Sequence, residues 1–289
     1  MKDVILILSS GGARGLAQIG VIEELEEAGY TIKAVAGSSI GALIGGFYAA
    51  GKLIEFKDWV QKLDRIDVMK YFDVALNSRG FIKGQKIMKE LRSVVGDHNI
   101  EDFSVTFKAI SSDITDHKEI VFEKGDLFDA IRASVSIPGV FTPFEQNGNM
   151  LVDGAVCNPM PMNAFERKEN DMMIAVNLNA RIPFEAPEMP KEAVEDRERL
   201  LEVFYQWKDK AAKRFNVKKS KTDKKPGLYG VLFRSFEVMQ ESYTDELVHR
   251  YHPDLLIELS RESADTFEFN KATELIAYGR QQTKKALGL

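Results

Sequence analysis

The chain has 289 residues, 44% of them hydrophobic, which is enough apolar side chain for a substantial buried core. Its formal net charge of -5 leaves no global basic footprint and argues against nucleic acid as a partner. Its single cysteine, Cys157, excludes an internal disulfide, and no run approaches the roughly 18 apolar residues of a membrane-spanning helix.

The first element is Val4-Ile5-Leu6-Ile7-Leu8, a continuous apolar run of the kind that forms a parallel strand buried on both faces. It is too short for the core of a signal peptide, and the chain reads as soluble and cytoplasmic. A Gly-rich turn follows, Ser9-Ser10-Gly11-Gly12-Ala13-Arg14-Gly15. Residues 16–28 then place Leu16, Ile19, Gly20, Ile22 and Leu25 at helical spacing, with Glu23, Glu24, Glu26 and Glu27 outward and Gly29 as the stop. A second apolar run, 32–36, leads into Gly37-Ser38-Ser39-Ile40-Gly41 and a helix of small apolar residues over 42–50. A βαβα start implies a parallel sheet with helices on its faces. Both Gly-rich turns then stand at the end of neighbouring strands where open α/β sheets carry their sites.

Residues 54–95 read as mainly helical, with Phe56, Trp59, Val60 and Leu63 on one face and Ile82, Ile87, Leu91, Val94 and Val95 on another, and a loop at Asn77-Ser78-Arg79-Gly80. Strands are expected at 103–110 and 119–122, joined across 113–117. A helix at 127–135 stops before Pro138-Gly139. Asn147-Gly148 signals a hairpin ahead of the strand 150–152, which runs into Asp153-Gly154-Ala155. Further elements are a strand at 172–178, a helix at 231–250, a strand at 255–259 and a helix at 272–287. Residues 181–227 stand apart as a Pro-rich loop, an amphipathic helix over 197–215 and a basic loop. From Gln206 to Gly227 nine Lys/Arg face two Asp, a local charge of +7. With Phe204 and Trp207 on the apolar side of that helix, the insertion reads as a lid, as a peripheral contact with an anionic membrane, or as plain surface.

Gly37-Ser38-Ser39-Ile40-Gly41 has the strand–turn–helix context of a nucleophile elbow, with Ser39 exposed above the sheet edge. The bland alternative is an ordinary turn with a serine near a helix start. The Gly11–Gly15 turn lacks the glycine order of a dinucleotide loop and the Lys-Ser/Thr ending of a phosphate loop. It suits a rack of main-chain N–H donors for an oxyanion, with Arg14 adding a positive charge or forming a surface ion pair. A serine nucleophile needs a base. His98, His117, His249 and His252 lie in no recognisable motif, whereas Asp153 follows an apolar strand. Asp-Gly is also a common turn in which the carboxylate binds its own backbone.

The three blocks Gly11-Gly12-Ala13-Arg14-Gly15, Gly37-Ser38-Ser39-Ile40-Gly41 and Asp153-Gly154-Ala155, in that order, resemble the patatin-like phospholipase family. The segments 16–21 and 133–141 support the match, which spans roughly residues 4–180. Gln18, where many bacterial relatives carry His, and Ser10, where Gly is common, depart from the pattern. The resemblance implies one three-layer α/β/α domain over 1–289 with a mainly parallel central sheet. It also implies a Ser39–Asp153 dyad, an oxyanion hole from Gly11, Gly12, Ala13, Arg14 and Gly15, and support from Gly37, Ser38, Ile40, Gly41, Gly154 and Ala155. The expected activity is hydrolysis of a phospholipid, lysophospholipid or other fatty-acyl ester, with no metal and no cofactor. Two rivals stay open: an esterase with a triad of Ser39, Asp153 and His249 or His252, and a non-catalytic module binding an anion or acyl group.

Overall fold

The structure, a computed structural model, describes residues 2–71, 82–188 and 228–289. The loop expected at 77–80, the amphipathic helix over 197–215 and the basic stretch lie outside the described residues. Eight strands form one mixed, mostly parallel sheet: β1 (Lys2–Leu8), β2 (Tyr30–Ser38), β3 (Thr106–Asp113), β4 (Lys118–Phe122), β5 (Phe144–Gln146), β6 (Asn149–Asp153), β7 (Met172–Ala180) and β8 (Leu255–Ser260). Hydrogen-bonded neighbours run β5-β6-β3-β2-β1-β7-β8, with β4 also paired to β3. The pairings β2–β3, β1–β2, β1–β7 and β7–β8 are parallel, and the three that involve β4, β5 and β6 are antiparallel.

The unbroken apolar run of β1 has the expected physical basis. Val4, Leu6 and Leu8 enter one core cluster, while Ile5 and Ile7 enter a second on the opposite face. Alternate residues of a strand point to opposite faces, so both must be covered. The first face carries α1 (Ala17–Glu27), α2 (Ile40–Ala49), α3 (Leu53–Val60), α5 (Gln85–Val95), α6 (Leu127–Ser134) and α8 (Ala272–Leu287), and the second is covered in part by Leu247 of α7 (Leu228–Tyr251). Between α3 and α5 lies the short α4 (Arg65–Tyr71). These are the three layers.

Several boundaries differ from the sequence reading. The Gly-rich turn continues into a 3-10 turn at Gly12–Leu16 before α1 begins. β3 begins later than expected and runs on to Asp113. β5 is a further short strand, paired Gln146↔Asn149 across the Asn147-Gly148 turn. Glu24 is not outward: it is buried, with Arg280 at 3.5 Å and Lys284 at 3.8 Å on α8, because α1 is covered there by the last helix.

Candidate active site

β2 ends on Ser38 and α2 begins on Ile40, so a single residue, Ser39, makes the turn between them. It does so at φ 56, ψ -124, outside the ordinary regions for a residue with a side chain. Such a conformation costs about 1–3 kcal/mol and persists only where its surroundings hold it. Two features hold it here. The Ser39 N–H donates to Ser134 Oγ at 2.9 Å. The elbow is also folded tightly, since a Cβ on Gly37 would lie 2.2 Å from the Gly41 carbonyl, and one on Gly41 would lie 2.3 Å from the Leu8 carbonyl oxygen. Only hydrogen fits at either flank.

Strand register brings Asp153 to the same place. Ala109 and Ile110 of β3 pair with β2 and with β4, whereas Ser111 to Asp113 pair with β4 and with β6. β2 and β6 therefore occupy successive stretches of one edge of β3 and meet end to end. Ser38 stands opposite Ile110, and Asp153 opposite the next residue, Ser111. Residues 114 apart in sequence are thus joined by a hydrogen bond: Ser39 Oγ donates to Asp153 Oδ2 at 2.6 Å. The second carboxylate oxygen accepts from the Ala155 N–H at 2.9 Å. The Asp153 N–H donates to the Ser136 carbonyl at 3.0 Å.

Burial sets the electrostatics. Asp153 is 1% exposed, and Ser39, expected to stand exposed above the sheet edge, is only 5% exposed because it faces a cavity rather than open solvent. Burial pushes the Asp153 carboxyl up from 3.8 to about 7, against the opposing pull of the hydrogen bonds from Ser39 and Ala155. A carboxylate of ordinary acidity is a poor base for a hydroxyl, and one lifted toward neutrality is matched to the task. None of the four histidines is a hydrogen-bond partner of Ser39 or Asp153 among the described residues. His98 bonds the Val95 carbonyl, and His249 stacks edge-on against His252.

The Gly-rich turn divides its work. The Ala13 N–H donates to the Thr266 carbonyl at 2.9 Å and is occupied. Gly12 sits at φ 58. The N–H groups of Gly11 and Gly12 have no main-chain acceptor among the described residues. Among the described residues Arg14 makes no surface ion pair: its buried guanidinium donates to Asn179 Oδ1 at 3.0 Å and the Ala264 carbonyl at 3.2 Å. Asn179 in turn donates to the Ser10 carbonyl, and Gln18 to the Ser9 carbonyl. Arg14 and Gln18 therefore brace the turn. Gly15 packs against Ile40, which couples the turn to the elbow. Ser38 and Gly154 are both buried and pack together, since a Cβ on Gly154 would lie 2.6 Å from Ser38 Oγ.

Ser39 and Gly12 line a cavity of about 110 Å³ whose other walls include Leu43, Phe56, Trp59, Leu91, Ile137 and Phe267. A larger depression of about 600 Å³, lined by Arg92, Asp97, His98 and Asp102, lies beyond the other end of α2. Size does not choose between them. The smaller one has the nucleophile in its wall and an almost wholly apolar lining. Sequence periodicity marks Phe56, Trp59 and Leu91 as apolar faces, which is equally the signature of core, so their place around Ser39 was not readable. No sequence signal pointed to Thr266 and Phe267. Among the described residues, no helix is long and apolar enough to cross a membrane.

A family model described as patatin-like phospholipase matches residues 6–165. Uncharacterized NTE family proteins of Mycobacterium tuberculosis and Mycobacterium bovis are each 32% identical over 327 residues, which covers 98% of this chain and 91% of theirs. Lysophospholipase NTE1 of Saccharomyces cerevisiae is 30% identical over 191 residues, or 62% of this chain and 11% of that protein. Among solved structures, VipD from Legionella pneumophila matches with a TM-score of 0.48 and 14% identity, over 99% of this chain and 66% of that one.

Proposed function

The chain belongs to the patatin-like phospholipase family, and from that premise we propose that it is a serine acyl hydrolase acting on lysophospholipids, phospholipids or related fatty-acyl esters. The observation that carries the reading is the 2.6 Å hydrogen bond from Ser39 to Asp153 at a strained elbow that opens into an apolar cavity. The fatty-acyl chain lies in that cavity and presents its ester carbonyl to Ser39. As Oγ attacks, its proton passes to Asp153 Oδ2. The N–H groups of Gly11 and Gly12 receive the charge that develops on the carbonyl oxygen. Donors of this kind are worth about 3–4 kcal/mol of barrier each. Asp153 returns the proton to the departing alcohol and an acyl-Ser39 remains. Asp153 then takes a proton from a water, which attacks the acyl carbon, and the free fatty acid and Ser39 are regenerated.

The proposal extends to the lipid surface. The +7 stretch of 206–227 suits an anionic bilayer. That part requires salt-sensitive cosedimentation with anionic vesicles, weakened by charge reversal at Lys218, Lys219 and Lys221. The hydrolytic reading is tested by fatty-acid release from a lysophospholipid. Wild-type protein is expected to turn it over and folded Ser39→Ala is expected not to. Equal release by both would remove Ser39 from the mechanism.

A further inference from the structure

The end of α6 and the residues just after it touch both members of the dyad. Ser134 Oγ accepts the Ser39 N–H at 2.9 Å and donates its own proton to the Ile110 carbonyl at 2.5 Å. Two residues on, the Ser136 carbonyl accepts the Asp153 N–H at 3.0 Å. Arg132, two residues before Ser134 in α6, anchors the segment: its guanidinium donates to Ser136 Oγ, to the Lys83 carbonyl and to Thr142. Ser134 and Ser136 are both fully buried.

We infer that Ser134–Ser136 is a clamp that sets the separation of nucleophile and base, with Ser134 as its positioning residue. The inference rests on the reading of Ser39 and Asp153 as a catalytic dyad. Its physical basis is that Ser39 adopts a backbone conformation it would leave if released. The Ser134 hydroxyl is placed to hold it, bridging the elbow to β3 through Ile110. Asp153 pairs with β3 at the adjoining residue, Ser111. One hydroxyl thus ties Ser39 to the strand on which Asp153 is registered, and the next carbonyl but one ties Asp153 back to the same segment. Without the hydroxyl, the Ser39 N–H and the Ile110 carbonyl lose their shared partner, and Ser39 relaxes away from the base. A displacement of about 1 Å in a reacting group lowers turnover on the order of a hundredfold. Ser134 itself does not line the acyl cavity, so binding is expected to be largely spared.

The test compares Ser134→Ala and Ser134→Cys with wild type and with Tyr278→Phe. Cysteine keeps the volume but is only a weak donor and acceptor. Tyr278 is a control for lost stability, because its buried hydroxyl also accepts a main-chain N–H, that of Ser260 on β8, at the edge of the sheet. All are checked by circular dichroism and thermal unfolding, then assayed on a short-chain p-nitrophenyl ester and for the rate of fluorophosphonate labelling. Ser134→Ala is expected to lose kcat and labelling rate by about 10- to 100-fold with KM within about twofold. Ser134→Cys is expected to fall between Ala and wild type. Tyr278→Phe is expected to lose stability and keep its kcat. The inference is overturned if folded Ser134→Ala keeps kcat within about twofold of wild type, if Ser134→Cys is no more active than Ser134→Ala, or if the Tyr278→Phe control loses kcat equally. A wild type that labels at Ser39 while Ser134→Ala labels equally fast defeats the clamp alone. A wild type that does not label at Ser39 defeats the dyad, and the clamp with it.

Discussion

Asp153→Asn should abolish hydrolysis and yet make the protein more stable above neutral pH. The amide has the same shape. Its oxygen can still accept the Ala155 N–H, and its NH₂ can donate to Ser39 Oγ, so the one group that loses a partner is the Ser39 O–H donor, a smaller loss than a buried charge. What disappears is the cost of burying a charge. The carboxyl is raised from 3.8 to about 7 by burial, so between those values the unfolded chain ionises while the folded chain keeps its proton. A folded state that binds more protons loses stability as pH rises. At about 1.4 kcal/mol per pH unit the loss accumulates to about 4 kcal/mol by pH 8, and it is absent below pH 4. At about 2–4 °C per kcal/mol, Asp153→Asn should melt on the order of 10 °C above wild type at pH 8. The gap should shrink toward acid. Thermal and urea unfolding of both proteins from pH 4 to pH 8 measures it. A gap that does not change with pH, or an Asn variant less stable at pH 8, would refute the claim that Asp153 is a buried, uncompensated carboxyl.

The same carboxyl governs the rate. As the base must be ionised, kcat/KM of wild type should rise with pH through a midpoint near 7, and a flat profile from pH 5 to 8 would contradict the assignment. Gly41→Ala should inactivate and destabilise the protein by about 1–3 kcal/mol, because its Cβ would lie 2.3 Å from the Leu8 carbonyl oxygen; chemical denaturation and ester hydrolysis together check this. Leu91→Trp, in the cavity wall, should depress kcat/KM for long-chain esters far more than for short-chain ones, and an equal loss on both would take the acyl chain out of that cavity.

The fold was readable because its signals are local. Two apolar runs, each followed by a Gly-rich turn and a helix, can close only as parallel strands with both turns at one edge, and β1 and β2 do pair in this way. Asn147-Gly148 likewise fixed a hairpin. The conjunction of Ser39 and Asp153 was legible through motif resemblance, but its cause was not. It lies in β2 and β6 sharing one edge of β3, a register no single segment encodes. Three other features depend on distant neighbours. Glu24 is buried because α8 covers α1. Arg14 turns inward because Asn179 and the Ala264 carbonyl await it. The basicity of Asp153 comes from total burial without a cation among its causes, which a sequence cannot display.

The central claim is that Ser39, held against Asp153, is the nucleophile. Intact-protein mass spectrometry after treatment with a fluorophosphonate, followed by peptide mapping, addresses it directly. One phosphonyl group per chain is expected, on the peptide containing Ser39, with labelling lost in Ser39→Ala and strongly slowed in Asp153→Asn. Stoichiometric labelling at another residue, or undiminished labelling of folded Ser39→Ala, would contradict it.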